Sequence, residues 1–124
     1  MSKTLAITRE ELQRKTPVTV LHLQGCLDAA GEEKLLAAAR DAHNEGARFL
    51  IIDLAKVDLL ASAGMRAIHK IYKFYTPVEE RSKWSRVKMC NAPAEVKNIL
   101  GITGFLLNIP NYESLQSAIA AFND

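Results

Sequence analysis

The chain has 124 residues, of which 48% are hydrophobic and 24% charged, with a formal net charge of +2 and two cysteines. This length suffices for a single domain with its own core, and the small charge argues against a nucleic-acid-binding protein. No apolar run approaches the roughly 20 residues of a membrane-spanning helix, so no membrane insertion is expected. Charges interrupt any signal-peptide core in residues 1–15, and two cysteines make no disulfide framework. We therefore expect a cytoplasmic protein.

Two strands are predicted near the start of the chain. Residues 4–8 alternate between polar and apolar side chains, a pattern that is typical of a half-exposed strand. Residues 18–23 (VTVLHL) are mostly apolar and follow a proline, which indicates a more buried strand. The polar segment ELQRKT between them predicts a hairpin-like connection.

A helix is predicted after the second strand. Asp28 is its expected N-cap, because an aspartate oxygen can accept a hydrogen bond from a free amide of the first turn. Glu32 and Glu33 in that turn complement the helix dipole, and Asn44-Glu45-Gly46 is a typical stop. The predicted apolar face consists of Leu35, Leu36, Ala39 and Ala42.

The most informative segment is DLAKVDLLASAG, residues 53–64. The apolar run at residues 49–52, which ends in Asp53-Leu54, predicts a strand over residues 49–54 with helices on both faces. After a short loop, a helix is predicted over residues 62–75, with an apolar stripe of Met65, Ile68, Ile71, Tyr72 and Tyr75. This order places backbone amides and the Ser62 hydroxyl at a helix N-terminus, where a phosphate group is well accommodated. Such a site can regulate without any catalytic machinery.

The C-terminal part continues the alternation of strand and helix. Residues 87–89 predict a strand, and Pro93 opens a short helix that Gly101 closes. Residues 106–109 predict a last short strand, and residues 113–122 a terminal helix. These elements predict an α/β domain with a mixed sheet.

No catalytic or metal site is predicted. The sequence has no phosphate-binding glycine loop, nucleophile elbow or C-x-x-C pair. Structural roles are favoured for His22, His43 and His69, because none has the spacing of a metal-binding pair. Cys26 and Cys90 both follow predicted strands, and free, partly buried thiols are the favoured interpretation. We therefore expect a protein that is not an enzyme and that uses no metal and no cofactor.

Asp28 and Ser62 each have two interpretations. Either residue is explained by an N-cap alone, and for Asp28 the residue pattern favours that explanation. Alternatively, Asp28 lies close to Ser62, if their strands are neighbours, and the two belong to one site. A buried N-cap serine would be a poor phosphate acceptor, so the exposure of Ser62 decides between the two.

Three segments in order resemble the STAS domain, a family of bacterial anti-sigma-factor antagonists and of modules in sulfate transporters, stress-signalling complexes and lipid-transport systems. They are LHLQGCLDAAGEEKL, FLIIDLAKVDLLASAGMRAIHKIY and NAPAEVKNILGITGFLLNIPNYESLQSAIAAF. The resemblance covers nearly the whole chain. It implies one STAS domain over residues 1–124, with a mixed, mostly parallel sheet of four to five strands packed with about four helices.

By this resemblance, Ser62 occupies the position of the serine that a kinase-type anti-sigma factor phosphorylates. In the family, unphosphorylated antagonist binds the anti-sigma factor and releases sigma, whereas phosphorylated antagonist does not bind. The implied partner-binding residues are Asp28, Ser62, Ala63, Gly64 and Met65, whose small members permit close approach of the partner backbone. A monomer or weak homodimer is implied, and weak nucleotide binding, as in some relatives, stays an open alternative.

Two features depart from the family pattern. Ala61 stands where the family usually has Asp, and the missing carboxylate normally helps to shape the phosphate-acceptor site. This favours the alternative of a STAS subunit that is not phosphorylated, either a scaffold of a signalling complex or a cytoplasmic component of a lipid transporter. The segment TPVEERSKWSR, residues 76–86, is longer and more polar than the usual connection. A solvated loop with one anchoring aromatic, Trp84, is favoured there over a dedicated contact.

Overall fold

Strands and helices alternate along the chain in the computed structural model, which describes residues 4–102 and 109–123. The described elements are, in order, β1 (Ala6–Leu12), β2 (Val18–Leu27), α1 (Ala29–Asn44), β3 (Leu50–Leu60), α2 (Ser62–Tyr75), a short 3-10 helix (Val78–Glu80), β4 (Val87–Cys90), α3 (Ala94–Ile102), β5 (Asn111–Tyr112) and α4 (Leu115–Asn123).

The strands form one five-stranded sheet in the order β1-β2-β3-β4-β5. β1 and β2 are antiparallel, whereas the other neighbouring pairs are parallel. With the four α-helices that the described residues contain, this arrangement confirms the predicted α/β class and the mixed, mostly parallel sheet. Within that part of the chain, no helix has both the length and the apolar character that membrane crossing requires.

The core is divided between the two faces of the sheet. On one face, which we call the packed face, Leu21, Ile52 and Leu54 join a large buried cluster with side chains of α1, α2 and α3. On the other, which we call the open face, a smaller cluster that includes Ile51 and Cys90 lies under Ala118 of α4. Leu50, Ile51 and Ile52 are fully buried because this part of β3 is covered on both faces, as predicted, and the charged Asp53 that follows them is half-buried.

Several strand boundaries differ from the prediction. β1 extends to Leu12, where it still pairs with Val18, so the hairpin connection is shorter than ELQRKT. β3 continues to Leu60, and the loop predicted after Leu54 is wrong. Register shifts against β2, between His22 and Gln24 and again between Gly25 and Cys26, interrupt the regular alternation that identifies a strand.

The helices agree better with the prediction. α2 has the predicted bounds, and α1 begins after Asp28 and ends at Asn44 as expected. Gly101 lies inside α3 instead of closing it. In the predicted strand at 106–109, residues 106–108 lie outside the described residues, and the last described strand is β5.

Candidate functional site

The parallel register brings two helix starts to the same end of the sheet. Leu27 at the end of β2 pairs with Leu60 at the end of β3. α1 begins two residues after Leu27, and α2 begins two residues after Leu60. The N-termini of both helices therefore lie at the carboxyl ends of neighbouring strands, where ligands and partners of parallel α/β sheets commonly bind.

Asp28 is the N-cap of α1, as predicted. Its Oδ1 accepts a hydrogen bond of 3.0 Å from the Gly31 amide, and its carbonyl oxygen accepts one of 2.9 Å from Glu32. The side chain is half-buried at the helix start. One carboxylate oxygen is thus committed to the helix, which fixes the position of this residue at the surface.

Ser62 is the first helical residue of α2 and is exposed. The N-cap is Ala61, which has extended backbone angles and no side chain that can cap the helix. The prediction that Ser62 caps the helix is therefore wrong by one residue. No hydrogen bond joins the Ser62 hydroxyl to any residue that the structure describes.

The small residues after Ser62 fit against the domain itself. Ala63 and Gly64 are both buried. A Cβ placed on Gly64 would lie 2.5 Å from the Leu27 carbonyl oxygen and 2.6 Å from Leu27 Cγ, which is too close for any side chain. The same carbonyl oxygen accepts a 3.0 Å hydrogen bond from Ala61. The backbone that Gly64 accommodates is thus that of β2, which is sufficient reason for a glycine here, and approach of a partner backbone stays a prediction.

The surface around Ser62 also presents apolar side chains. Met65 is half-buried and packs against the core of the packed face. Leu59, three residues before Ser62, is 50% exposed and was not identified from the sequence. The pair Leu59-Leu60 was the sequence signal for this exposed side chain. Neighbouring residues of a strand point to opposite faces, so only one of the two can enter the core. We call Asp28, Leu59, Ser62 and Met65 the Ser62 surface.

A set of charges connects α1 and α2 beside this surface. Glu32 lies 3.5 Å from Arg66 and 3.7 Å from Lys70, both of which are more than half exposed. Exposed ion pairs of this length contribute little to stability. Arg66 follows Ser62 by four residues, so it lies one turn further along the same side of α2. A negative group added at Ser62 would therefore have a cation nearby.

His22 lies in a polar row that crosses the open face. Its Nδ1 is 2.6 Å from Asp53 Oδ2, and its Nε2 is 2.8 Å from Glu10 Oε1. Burial lowers the pKa of His22, but the hydrogen bonds with Glu10 and Asp53 outweigh burial and raise it above its usual value. Asn91 donates to the other oxygen of Asp53 at 3.2 Å. The row is a satisfied structural network, in line with the interpretation favoured from the sequence.

The remaining candidate groups have structural surroundings. His43 packs against the rings of Phe74 and Tyr75, and burial lowers its pKa. Both cysteines are free and buried inside strands, and burial raises the pKa of Cys90 to about 12, which leaves an unreactive thiol. Within the described ranges, no group of three or more acidic, histidine or cysteine side chains could hold a metal ion.

Comparison with known proteins places this geometry in context. The family model of the STAS domain matches residues 10–118. BtrV of Bordetella bronchiseptica, which is named as an anti-sigma factor antagonist, is 30% identical over 100 residues that cover 81% of this chain and 82% of BtrV.

Solved structures share the fold at lower identity. An anti-sigma factor antagonist from Mycobacterium paratuberculosis superposes with a TM-score of 0.74 at 22% identity, covering 94% of this chain and 93% of that one. SpoIIAA in its unphosphorylated form gives 0.71 at 18% identity, covering 94% and 96%. The phosphorylated form of the Bacillus protein gives 0.66 at 17% identity, covering 95% and 100%.

Proposed function

The chain belongs to the STAS domain family, and we propose that it is an anti-sigma-factor antagonist, a regulatory protein without enzymatic activity. It binds a kinase-type anti-sigma factor and is switched by phosphorylation of Ser62. The name of BtrV supports the antagonist role. The two forms of SpoIIAA support the regulation, because they establish that a domain of this fold accommodates a phosphoryl group.

The observation that carries the proposal is the free, exposed hydroxyl of Ser62 at the start of α2. Because Ala61 occupies the cap position, phosphorylation of Ser62 breaks no hydrogen bond within the described fold. The amides of the first turn and the nearby Arg66 can hold the phosphate without unfolding the helix.

The physical basis of the switch is a change of charge on a partly apolar surface. The exposed Leu59 and half-buried Met65 give the partner apolar area to cover. A phosphate adds about −1.5 to −2 charges at pH 7. Covering that charge with an apolar partner surface carries a large desolvation cost, so phosphorylated protein binds weakly. Ala63 and Gly64 contribute to the binding surface indirectly. Both are buried, and they set the position of α2 against β2.

The test compares wild type with Ser62→Asp and Ser62→Ala in calorimetric titrations against a candidate kinase-type anti-sigma factor from the same organism. Ser62→Asp should weaken binding by more than about tenfold, or about 1.4 kcal/mol. Ser62→Ala should bind nearly as well as wild type. The matched control is Ser82→Asp, which adds the same charge at another exposed serine, in the segment between α2 and β4. Equal affinity of all four proteins would contradict the switch.

Phosphorylation itself is tested separately, by incubating the chain with the same candidate and ATP. Mass spectrometry should detect one phosphate on wild type, located at Ser62, and none on Ser62→Ala. Phosphate at a different residue, or none on wild type in an active kinase preparation, would contradict the assignment of the acceptor.

A second function is favoured by one observation, the alanine at position 61. A STAS subunit that is never phosphorylated, serving as a scaffold or as a component of a lipid transporter, needs no carboxylate before the serine. In that case the chain should co-purify with the scaffold or transporter proteins, and Ser62→Asp and Ser62→Ala should associate equally well. A phosphate found on Ser62 in cells would reject this alternative.

A further inference from the structure

A cavity of about 290 Å³ lies at the end of the sheet opposite the Ser62 surface. Its lining includes Phe49 and Arg86, which immediately precede β3 and β4, together with Phe122 of α4. Trp84 and Lys88 also line the cavity. The volume is close to the lower limit of pockets that hold small organic molecules.

Lys88 is the unusual member of this lining. It lies in β4 opposite Ile51 and is only 7% exposed. Burial lowers its pKa, and no carboxylate among the described residues offsets that effect. Its Nζ lies 4.6 Å from the ring centroid of Phe122 and 5.6 Å from that of Tyr112, and it forms no ion pair with a described residue. A buried ammonium without a counter-ion is costly, and such groups are normally paired.

Arg86, the neighbouring cation of the lining, has a counter-ion within the protein. Arg86 donates from Nε and Nη2 to the two carboxylate oxygens of Glu80, at 2.9 Å and 2.6 Å. Glu80 also accepts a 2.8 Å hydrogen bond from the indole nitrogen of Trp84. The charge of Arg86 is therefore neutralised within the protein, and one positive charge, that of Lys88, is left for an external partner.

The rest of the lining is aromatic. Phe49 and Phe122 meet edge to face, with centroids 5.4 Å apart. Trp84 is 64% exposed, and its indole nitrogen donates a hydrogen bond to Glu80, so this aromatic is fixed at the surface by Glu80. The long polar segment at 76–86 thus orders an indole ring at the mouth of the cavity. Flat apolar groups pack well against such rings.

We propose that this cavity binds a small organic monoanion, a carboxylate attached to an aromatic or similarly flat apolar body. The carboxylate pairs with the Lys88 ammonium, and the apolar body packs against the contacting rings of Phe49 and Phe122, beside Trp84. A single negative charge matches Lys88, the one cation of the described lining that has no ion pair with a described residue, whereas inorganic phosphate would bring excess charge and no apolar surface.

The first experiment uses benzoate as the probe on the intact chain. Trp84 is the only tryptophan, so its fluorescence reports on the cavity directly. Benzoate should change the emission saturably, while the neutral isostere benzamide should bind at least about tenfold more weakly, because it cannot form the ion pair. Inorganic phosphate should leave the emission unchanged. No saturable effect of benzoate, or equal binding of benzamide or phosphate, would overturn the proposal.

The second experiment removes the cation. Lys88→Met keeps an unbranched, slightly shorter side chain without the charge and should lower benzoate affinity at least about tenfold, while the exposed control Lys83→Met should bind like wild type. Circular dichroism verifies that both variants fold. If Lys88→Met does not fold, Lys88→Arg replaces it as the test. Lys88→Arg keeps the charge and should still bind benzoate more tightly than benzamide. Phe122→Leu should weaken the binding of both benzoate and benzamide. Unchanged benzoate affinity of folded Lys88→Met, or no preference for benzoate in Lys88→Arg, would overturn the proposal.

Discussion

The two faces of the central sheet differ although the same strands build both. On the packed face, three helices cover a continuous buried cluster. On the open face, α4 covers a much smaller cluster, and charged groups flank it: His22 and Asp53 towards the carboxyl ends of the strands, Lys88 towards the amino ends. The larger share of the buried apolar side chains, and with it of the stability, therefore lies on the packed face. The other face can hold charged groups because few apolar contacts are lost there.

The largest effect expected from this comparison concerns adjacent residues of β3. Ile51 and Ile52 are both fully buried but point to opposite faces. Ile52→Ala should lower the free energy of unfolding by about 3–5 kcal/mol, because a cavity in a large core cannot collapse. Ile51→Ala should cost less, about 2 kcal/mol, because α4 can move into the space. Chemical denaturation measures the free energy of unfolding of both variants. Equal losses would contradict the inference that the two faces contribute differently to stability.

A smaller effect is expected at two helix glycines. Gly64→Ala forces a methyl group against Leu27 and should destabilise the protein by about 1–3 kcal/mol. Gly101 is the matched control, since a Cβ added there has no described atom within 4 Å apart from its chain neighbours and the backbone of its own helix. Gly101→Ala should be neutral or stabilise the helix by up to about 1 kcal/mol. Denaturation midpoints that fall equally in both variants would show that the close contact of α2 with β2 is not the cause.

The N-cap of α1 should contribute about 1 kcal/mol. Asp28→Ala removes the acceptor of the Gly31 amide, whereas Asp28→Asn keeps an oxygen in the same place. We therefore expect the alanine variant to lose about 0.5–2 kcal/mol and the asparagine variant to stay close to wild type. If both variants lost the same stability, the negative charge and not the hydrogen bond would be responsible.

The smallest expected change in the free energy of unfolding concerns His22 on the open face. It should remain below about 1 kcal/mol, because the polar row of Glu10, His22 and Asp53 is partly exposed. Folding raises the pKa of His22 above 6.5. The stability that His22 contributes is therefore complete below pH 6.5 and is lost as pH rises through the folded-state pKa. Asp53 has a lowered pKa, so its contribution is lost only as pH falls below 3.8. The stability difference between wild type and His22→Gln should therefore be larger near about pH 5 than near about pH 8.

Two histidines serve as internal controls for this titration. The pKa values of His43 and His69 are lowered by burial and nearby cations. In an NMR titration, His22 should therefore lose its proton at a higher pH than the other two. The reverse order would show that the carboxylates of Glu10 and Asp53 do not hold the proton.

The bounds of α2 could be predicted from the sequence because its signals agree. A regular apolar stripe runs through it, small residues precede it, and Thr76-Pro77 ends it. The length of β3 could not be predicted, because the register shifts against β2 leave Lys56 and Asp58 in a strand without regular alternation. Periodicity identifies a strand only while pairing is regular.

Two features of the sites depended on tertiary contacts. Residue preference favours serine as the N-cap of α2, yet the hydrogen bond and close contact with Leu27 place the N-cap one residue earlier, at Ala61. Lys88 fits an alternating strand whose polar residue faces water. Its burial could not be inferred, because alternation assigns a residue to a face but does not tell which helix covers that face.

The lateral edges of the sheet limit how copies of this chain can associate. In the described part of the chain, one edge is β1, where Arg9, Glu10 and Glu11 are exposed, and the other is β5, which has only two residues. Charged or very short edge strands discourage the addition of further strands and, with it, aggregation into extended sheets. Self-association should therefore use helix and loop surfaces, and concentrated protein should resist fibril formation.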